Sequence, residues 1–185
     1  MRYALALLIL LACTSCASFE YGELPFLDGW PPAAAAEARA VRIEMAGLPD
    51  KFAAGWEKQA IATLEASGRF ERVTTDQDIA VDRILRLDIE HQRPGGIVTT
   101  RALMVACAMT AGLFPARAAH RFDIHASVLD ARGNPLGTAE RSVESATWVG
   151  WVFLFALPFA GIGMGEMVDD TVRSLVAESA QAGWL

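Results

Sequence analysis

Alternation of polar and apolar residues, interrupted by stretches where the apolar positions recur every four, divides this chain into elements. In residues 40–46, AVRIEMA, Val41, Ile43 and Met45 fall on one side and Arg42 and Glu44 on the other, the period of a half-buried strand. Residues 51–67 place Phe52, Trp56, Ala60 and Leu64 four apart, with Ile61 beside them. That is the apolar stripe of a helix lying on a core. Asp50 is a candidate N-cap for it and Gly68 its stop. A short strand is expected at residues 70–74, followed by a turn or brief helix over TDQDIAVD. Alternation returns in DRILRLDIEHQ, with Leu85, Leu87 and Ile89 inward, and in AHRFDIHASVLD, with Phe122, Ile124, Ala126 and Val128 inward. ARGNPLG is a hairpin turn rich in turn-forming residues, and TAERSVESATW returns as a further strand with a poor inward face. The last element, EMVDDTVRSLVAESAQAG, is a second helix with Val168, Thr171, Val172, Leu175 and Ser179 on its buried stripe. Asp169 and Asp170 suit the positive start of that helix, and Gly183 ends it.

The predicted order is strand, helix, four strands, helix. One-sided alternation calls for an α+β fold with a single mixed, largely antiparallel sheet of about five strands, two helices on one face and the other face wet. Residues 39–185 form this domain.

Two apolar segments fit neither period. Residues 102–116, ALMVACAMTAGLFPA, carry no ionised side chain, and neither do residues 145–165, SATWVGWVFLFALPFAGIGMG. The second has the length of a bilayer span, but Pro158 and several glycines interrupt it, and spanning would separate helices and strands that need one core. If the three strands around these segments form an antiparallel meander, both segments emerge as long loops at the same end of the sheet. They then make one apolar tip bearing Leu113, Phe114, Trp148, Trp151, Phe153, Phe155 and Phe159. An exposed apolar tip of that kind marks a membrane or partner contact, and aromatic residues favour the interfacial layer of a bilayer. The alternative is that both segments fold over the sheet and complete its core.

The first residues, MRYALALLILLACTSC, begin with Arg2, continue as an unbroken apolar run and reach a cysteine through small residues. This is the form of a bacterial lipoprotein signal. Signal length favours Cys16 as the acylated residue, whereas Leu10 and Ala12 suit Cys13, the alternative. The expected organisation is a signal at 1–15, an acylated start and flexible tether at 16–38 containing Pro25, Pro31 and Pro32, and then the domain. Acyl chains plus an apolar tip supply the two signals that stable membrane attachment needs.

Composition sharpens this picture. The chain of 185 residues is 53% hydrophobic, with the excess concentrated in the leader and the two apolar segments. Without Arg2 it carries 22 acids against 15 bases and has no basic cluster, which argues against nucleic acid as a partner. With Cys16 acylated, only Cys107 remains as a thiol in the mature chain, so no intramolecular disulfide is expected.

Candidate chemistry is sparse. His120 and His125 lie five apart on a strand and face opposite sides, and His91 stands alone. Asp76, Asp78 and Asp82 lack the glycine and closing glutamate of a calcium loop. GIGMGE at 161–166 resembles a dinucleotide turn, but Glu166 occupies the third glycine position. Cys107 sits in an uncharged stretch that favours an inert thiol. No catalytic residue, metal ligand or cofactor is expected.

The lipobox, the ILRLDIE strand, the TAGLFPA loop, the SVLDARGNPLG hairpin, the TWVGWVFLFALPF run and the last amphipathic helix together resemble a class of bacterial outer-membrane lipoproteins. Their fold is similar to the N-terminal domain of TolB and to the curli secretion lipoprotein (CsgG-like). The resemblance covers residues 39–183 and implies envelope assembly, secretion or scaffolding without catalysis. Unlike the curli pore, this chain lacks alternating membrane hairpins. Ala17, rather than an aspartate, follows Cys16, which by the sorting habit of Gram-negative lipoproteins implies a periplasm-facing protein anchored in the outer membrane. The expected partners are membrane lipid and an envelope protein. A carrier enclosing a lipid or other hydrophobic small molecule between the apolar loops is the second expectation.

Overall fold

The computed structural model describes residues 16–22, 30, 39–110, 112–150 and 164–185. In chain order the elements are β1 (Cys16–Gly22), β2 (Arg39–Ala46), α1 (Asp50–Ala66), β3 (Phe70–Thr74), β4 (Arg83–Gln92), α2 (Ile97–Met109), β5 (Ala116–Asp130), β6 (Pro135–Val149) and α3 (Met164–Gln181). The strands form one mixed sheet in the order β1-β6-β5-β4-β2-β3. The α+β class, the single sheet and all seven elements expected from periodicity are present.

Two elements differ from expectation. The stretch 16–38 was expected as tether, yet Cys16–Gly22 forms a strand beside β6. Its run CASFEYG does alternate, Ala17, Phe19 and Tyr21 against Ser18 and Glu20, and the tether reading, drawn from the prolines and glycines downstream, passed over that period. Residues 102–116 were expected as a loop, but most of them continue a helix begun at Ile97. Ala, Leu and Met are strong helix formers, and no glycine or proline intervenes before residue 112. The helix escaped detection because it is apolar on every side and therefore has no stripe.

The fold divides into two compact units, to both of which β5 and β6 contribute. One holds β2, α1, β3, β4 up to His91, the hairpin half of β5 and β6, and α3. Here β2 pairs in parallel with β3 and β4, with Ile43 opposite Leu85 and Met45 opposite Leu87. Parallel neighbours require a crossover, and α1 supplies the one between β2 and β3. Helix α1 starts one residue earlier than the expected cap: Pro49 holds the N-cap position, its carbonyl accepting from Phe52 N–H at 2.8 Å, and Asp50 opens the first turn without a capping bond. Gly68 ends it at a φ of +63°. At the end of β2, Gly47 has φ +83°, and a Cβ there would sit 2.5 Å from the carbonyl oxygen of Ile89. Only glycine permits that approach.

The core lies in this unit. Val41, Ile43, Trp56, Leu64, Leu85, Leu87, Ile89, Phe122, Ile124, Met167 and Leu175 are all buried in one cluster. Trp56 and Phe122 pack with ring centroids 5.3 Å apart, and Phe52 meets Phe122 edge-on at 5.7 Å. The buried face of α3 is wider than its predicted stripe, adding Met167, Ser174, Val176 and Ala177. Thr63 of α1 donates its hydroxyl to Asp169 of α3 at 2.6 Å. Trp30, which sequence places in the tether, packs against this core with the Arg173 guanidinium 5.5 Å from its ring.

The other unit contains β1 up to Tyr21, Gln92–Arg121 and β6 from Glu144 onward. Its buried apolar side chains among the described residues are Cys107, Ala116, Ala119 and Ala146, all small.

Candidate functional site

Among the described residues, the exposed large apolar side chains concentrate on α2 and the turn after it. Gly95 and Gly96, at φ +87° and +75°, lead into the helix, where Thr100 N–H and hydroxyl both donate to the Gly96 carbonyl. At the other end, Gly112 N–H donates back to the Cys107 carbonyl at 2.7 Å with φ +86°, the left-handed close that commonly terminates helices. Thr110 braces that turn: its hydroxyl donates to the Ala106 carbonyl at 2.8 Å and accepts from Phe114 N–H at 3.2 Å. Leu113 and Phe114 are thereby presented outward on a hydrogen-bonded turn.

Cys107 is the one buried residue of α2, its thiol 3.7 Å from the carbonyl oxygen of Val149 at the end of β6. There Gly150 approaches the turn so closely that a Cβ would lie 3.2 Å from Pro115 Cα. The first apolar segment and the end of β6 therefore meet within this unit. Most of the remaining surface of α2 is exposed, with Thr100 and Met104 half-buried. Val98 is 83% exposed and Met109 82%, with Ile97, Leu103 and Val105 also exposed. Leu113 and Phe114 follow at 76% and 65%. Among the described residues, seven of the eight exposed large apolar side chains fall between Ile97 and Phe114. Within this first segment Cys107 and Ala116 are buried, Met104 is half-buried, and Leu103, Val105, Met109, Leu113 and Phe114 are exposed. No helix of the described residues is long and apolar enough to cross a membrane.

The other candidates are distributed as follows. Trp148 lies on β6 and is half-buried, with the Arg117 guanidinium 5.7 Å from its ring centre and Arg117 paired to Glu144 at 2.9 Å. Cys16 opens β1. Trp151, Phe153, Phe155, Phe159 and Cys13 lie outside the described residues. Periodicity missed Ile97, Val98, Leu103, Val105 and Met109. Their signal was unbroken hydropathy in a stretch with helix-forming composition.

In the core-bearing unit, a cleft of about 510 Å³ is lined by Glu44, Glu57, Gln77, Arg86 and Asp88 among others. Glu44 accepts two N–H bonds from Arg86, at 2.8 and 3.1 Å, and one from Arg42 at 3.1 Å. The Arg86 bonds above all hold its carboxyl below the ordinary glutamate range, against the opposing effect of partial burial. These charges satisfy one another across β2 and β4. His125 Nδ1 sits 3.1 Å from Glu140 on the neighbouring strand. Asp76, Asp78 and Asp82 serve backbone N–H groups or turn geometry: Asp76 accepts from Asp78 N–H and Asp82 from Ala40 N–H. Among the described residues no three His, Cys, Asp or Glu side chains gather to hold a metal ion.

Comparison with known proteins gives structural likeness at low identity. A minor lipoprotein from Acinetobacter baumannii matches with a TM-score of 0.40 and 15% identity, over 78% of this chain and 91% of that one. The rare lipoprotein B from Shewanella oneidensis matches with a TM-score of 0.41 and 7% identity, over 78% and 96%. PelC from Paraburkholderia phytofirmans, solved as a dodecamer, matches with a TM-score of 0.41 and 12% identity, over 88% and 96%. No family model and no curated protein matches the chain.

Proposed function

We propose that this chain is an exported lipoprotein, acylated at Cys16 and held on the periplasmic side of the outer membrane. Its role in envelope assembly, secretion or scaffolding is non-enzymatic and is exerted through the apolar surface of α2 and its turn. The observation that carries this reading is the exposure of that surface: a contiguous group of large apolar side chains left in water marks a contact. The leader, with its apolar run ending at Cys16, supplies the compartment.

Metabolic labelling with palmitate and fractionation of the cells test it. The chain should carry label and sediment with outer membranes, and Cys16→Ser should remove the label. Label lost in Cys13→Ser instead would move the anchor to the earlier cysteine. An unlabelled chain in the cytosolic fraction would overturn the proposal. In the labelled protein, Trp151→Ser with Phe155→Ser should leave far-ultraviolet circular dichroism unchanged while weakening liposome or partner binding. A small apolar molecule retained in native mass spectrometry would replace the contact role with that of a carrier.

A further inference from the structure

We infer that the occupant of the α2 surface is an anionic phospholipid bilayer, in which the helix lies flat with Arg93 and Arg101 at the level of the lipid phosphates. This deepens the proposed function and rests on it. Three observations carry it. The first is charge. Between Glu90 and Asp123 the chain contains no acidic residue and four arginines, 93, 101, 117 and 121, although the whole chain has a net charge of −6. Arg117 is engaged by Glu144 and Trp148, while Arg93 and Arg101 are exposed at the entry to α2 and on it. Apolar side chains accompanied only by positive charge complement phosphate headgroups over acyl chains.

The second observation is geometry. Val98, Arg101, Val105 and Met109 follow three- and four-residue spacing, so they form one exposed stripe. Thirteen residues make a helix about 20 Å long, short of the roughly 30 Å hydrocarbon core. It is suited to lie in the interface, with Arg101 extending its long side chain toward the phosphates. The third is placement. The unit that contains α2 also contains Cys16 at the start of β1, so acylation anchors the same unit.

The test uses the full chain, reconstituted in vesicles of phosphatidylethanolamine and phosphatidylglycerol at three to one, or of phosphatidylcholine alone. Val98→Cys, Val105→Cys and, as a control on the exposed face of β3, Glu71→Cys each carry a nitrobenzoxadiazole label, with the unsubstituted chain as labelling background. Far-ultraviolet circular dichroism confirms each fold. In the anionic vesicles, dithionite should bleach the labels at 98 and 105 about tenfold more slowly than that at 71. Arg93→Gln and Arg101→Gln should each lower the ratio of protected to unprotected label about fivefold.

Labels at 98 and 105 that bleach as fast as the control in both vesicle types overturn the inference. In that case a palmitate-labelled chain would still stand as an anchored protein with another partner. Equal protection of these labels in detergent micelles at high protein concentration, with a doubled mass in light scattering, would identify a second copy and likewise overturn it. Protection indifferent to phosphatidylglycerol and to both arginines would refute the phosphate contact.

Discussion

Helices α2 and α3 are similar in kind and opposite in use. Helix α3 has only about half its residues apolar, yet Met167, Val168, Val172, Leu175 and Val176 are all buried. Helix α2 is apolar almost throughout and buries Cys107 alone. The difference extends to the units that hold them. One buries Trp56, Phe122 and a full set of leucines and isoleucines, whereas the other buries a cysteine and three alanines among its described residues. Hydrophobic content therefore does not measure burial. Phase does: α3 sorts its apolar residues onto one side, and that side meets α1 and the sheet. Leaving a Leu, Val or Phe in water forfeits about 1.5–3 kcal/mol relative to full burial. Seven such positions lie close together between Ile97 and Phe114, which is the basis of the proposed contact.

The strongest way to break this comparison is to truncate one large residue in each unit. Phe122→Ala should cost about 3–5 kcal/mol in urea unfolding, because its ring meets Phe52, Trp56 and His91 in the core. Val105→Ala should stay within about 0.5 kcal/mol of the parent. Comparable losses at the two positions would show that α2 is core.

Glycine replacements probe backbone packing in the same two places with smaller effects. Gly47→Ala forces a Cβ against the Ile89 carbonyl at φ +83° and should cost about 2–3 kcal/mol. Gly150→Ala meets Pro115 at the more permissive 3.2 Å. It should cost about 1–2 kcal/mol and shift the amide signals of Leu113 and Phe114. Unmoved signals would deny that the end of β6 positions the turn.

Titration sharpens the account of the core-bearing unit by the least. The Glu44 carboxyl is held low, chiefly by Arg86, so its stabilisation is present above the ordinary glutamate range and disappears as pH falls through the lowered value. Glu44→Gln should cost about 1 kcal/mol at neutral pH and nothing in strong acid. Asp170 has the opposite sign: partial desolvation first, then Asp169 and Glu166, raise its carboxyl. The native state then holds its proton more tightly than the unfolded chain, so this residue favours folding at low pH and opposes it once both states have ionised. Asp170→Asn should raise stability at neutral pH by less than about 1 kcal/mol and lose that gain below the ordinary aspartate range. A pH-independent offset in either variant would count against these environments.

Alternation in AVRIEMA, ILRLDIE and RFDIHASV and the four-residue stripe from Phe52 to Leu64 were sufficient to place β2, β4, β5 and α1 and to select their buried residues. A side facing a core must be apolar and a side facing water need not be, so one-sided burial imprints its period on the chain. Such logic has no purchase on residues 97–114, where apolar residues fall on every side, whereas in 16–22 the alternation of Ala17, Phe19 and Tyr21 with Ser18 and Glu20 was present and was outweighed by the proline-rich stretch that follows. Leu113 and Phe114 were legible as apolar loop residues. Val98, Val105 and Met109 became surface because the helix that carries them fully buries Cys107 alone. An apolar side chain specifies that it seeks a partner, and the packing of the folded chain decides whether that partner lies within the protein.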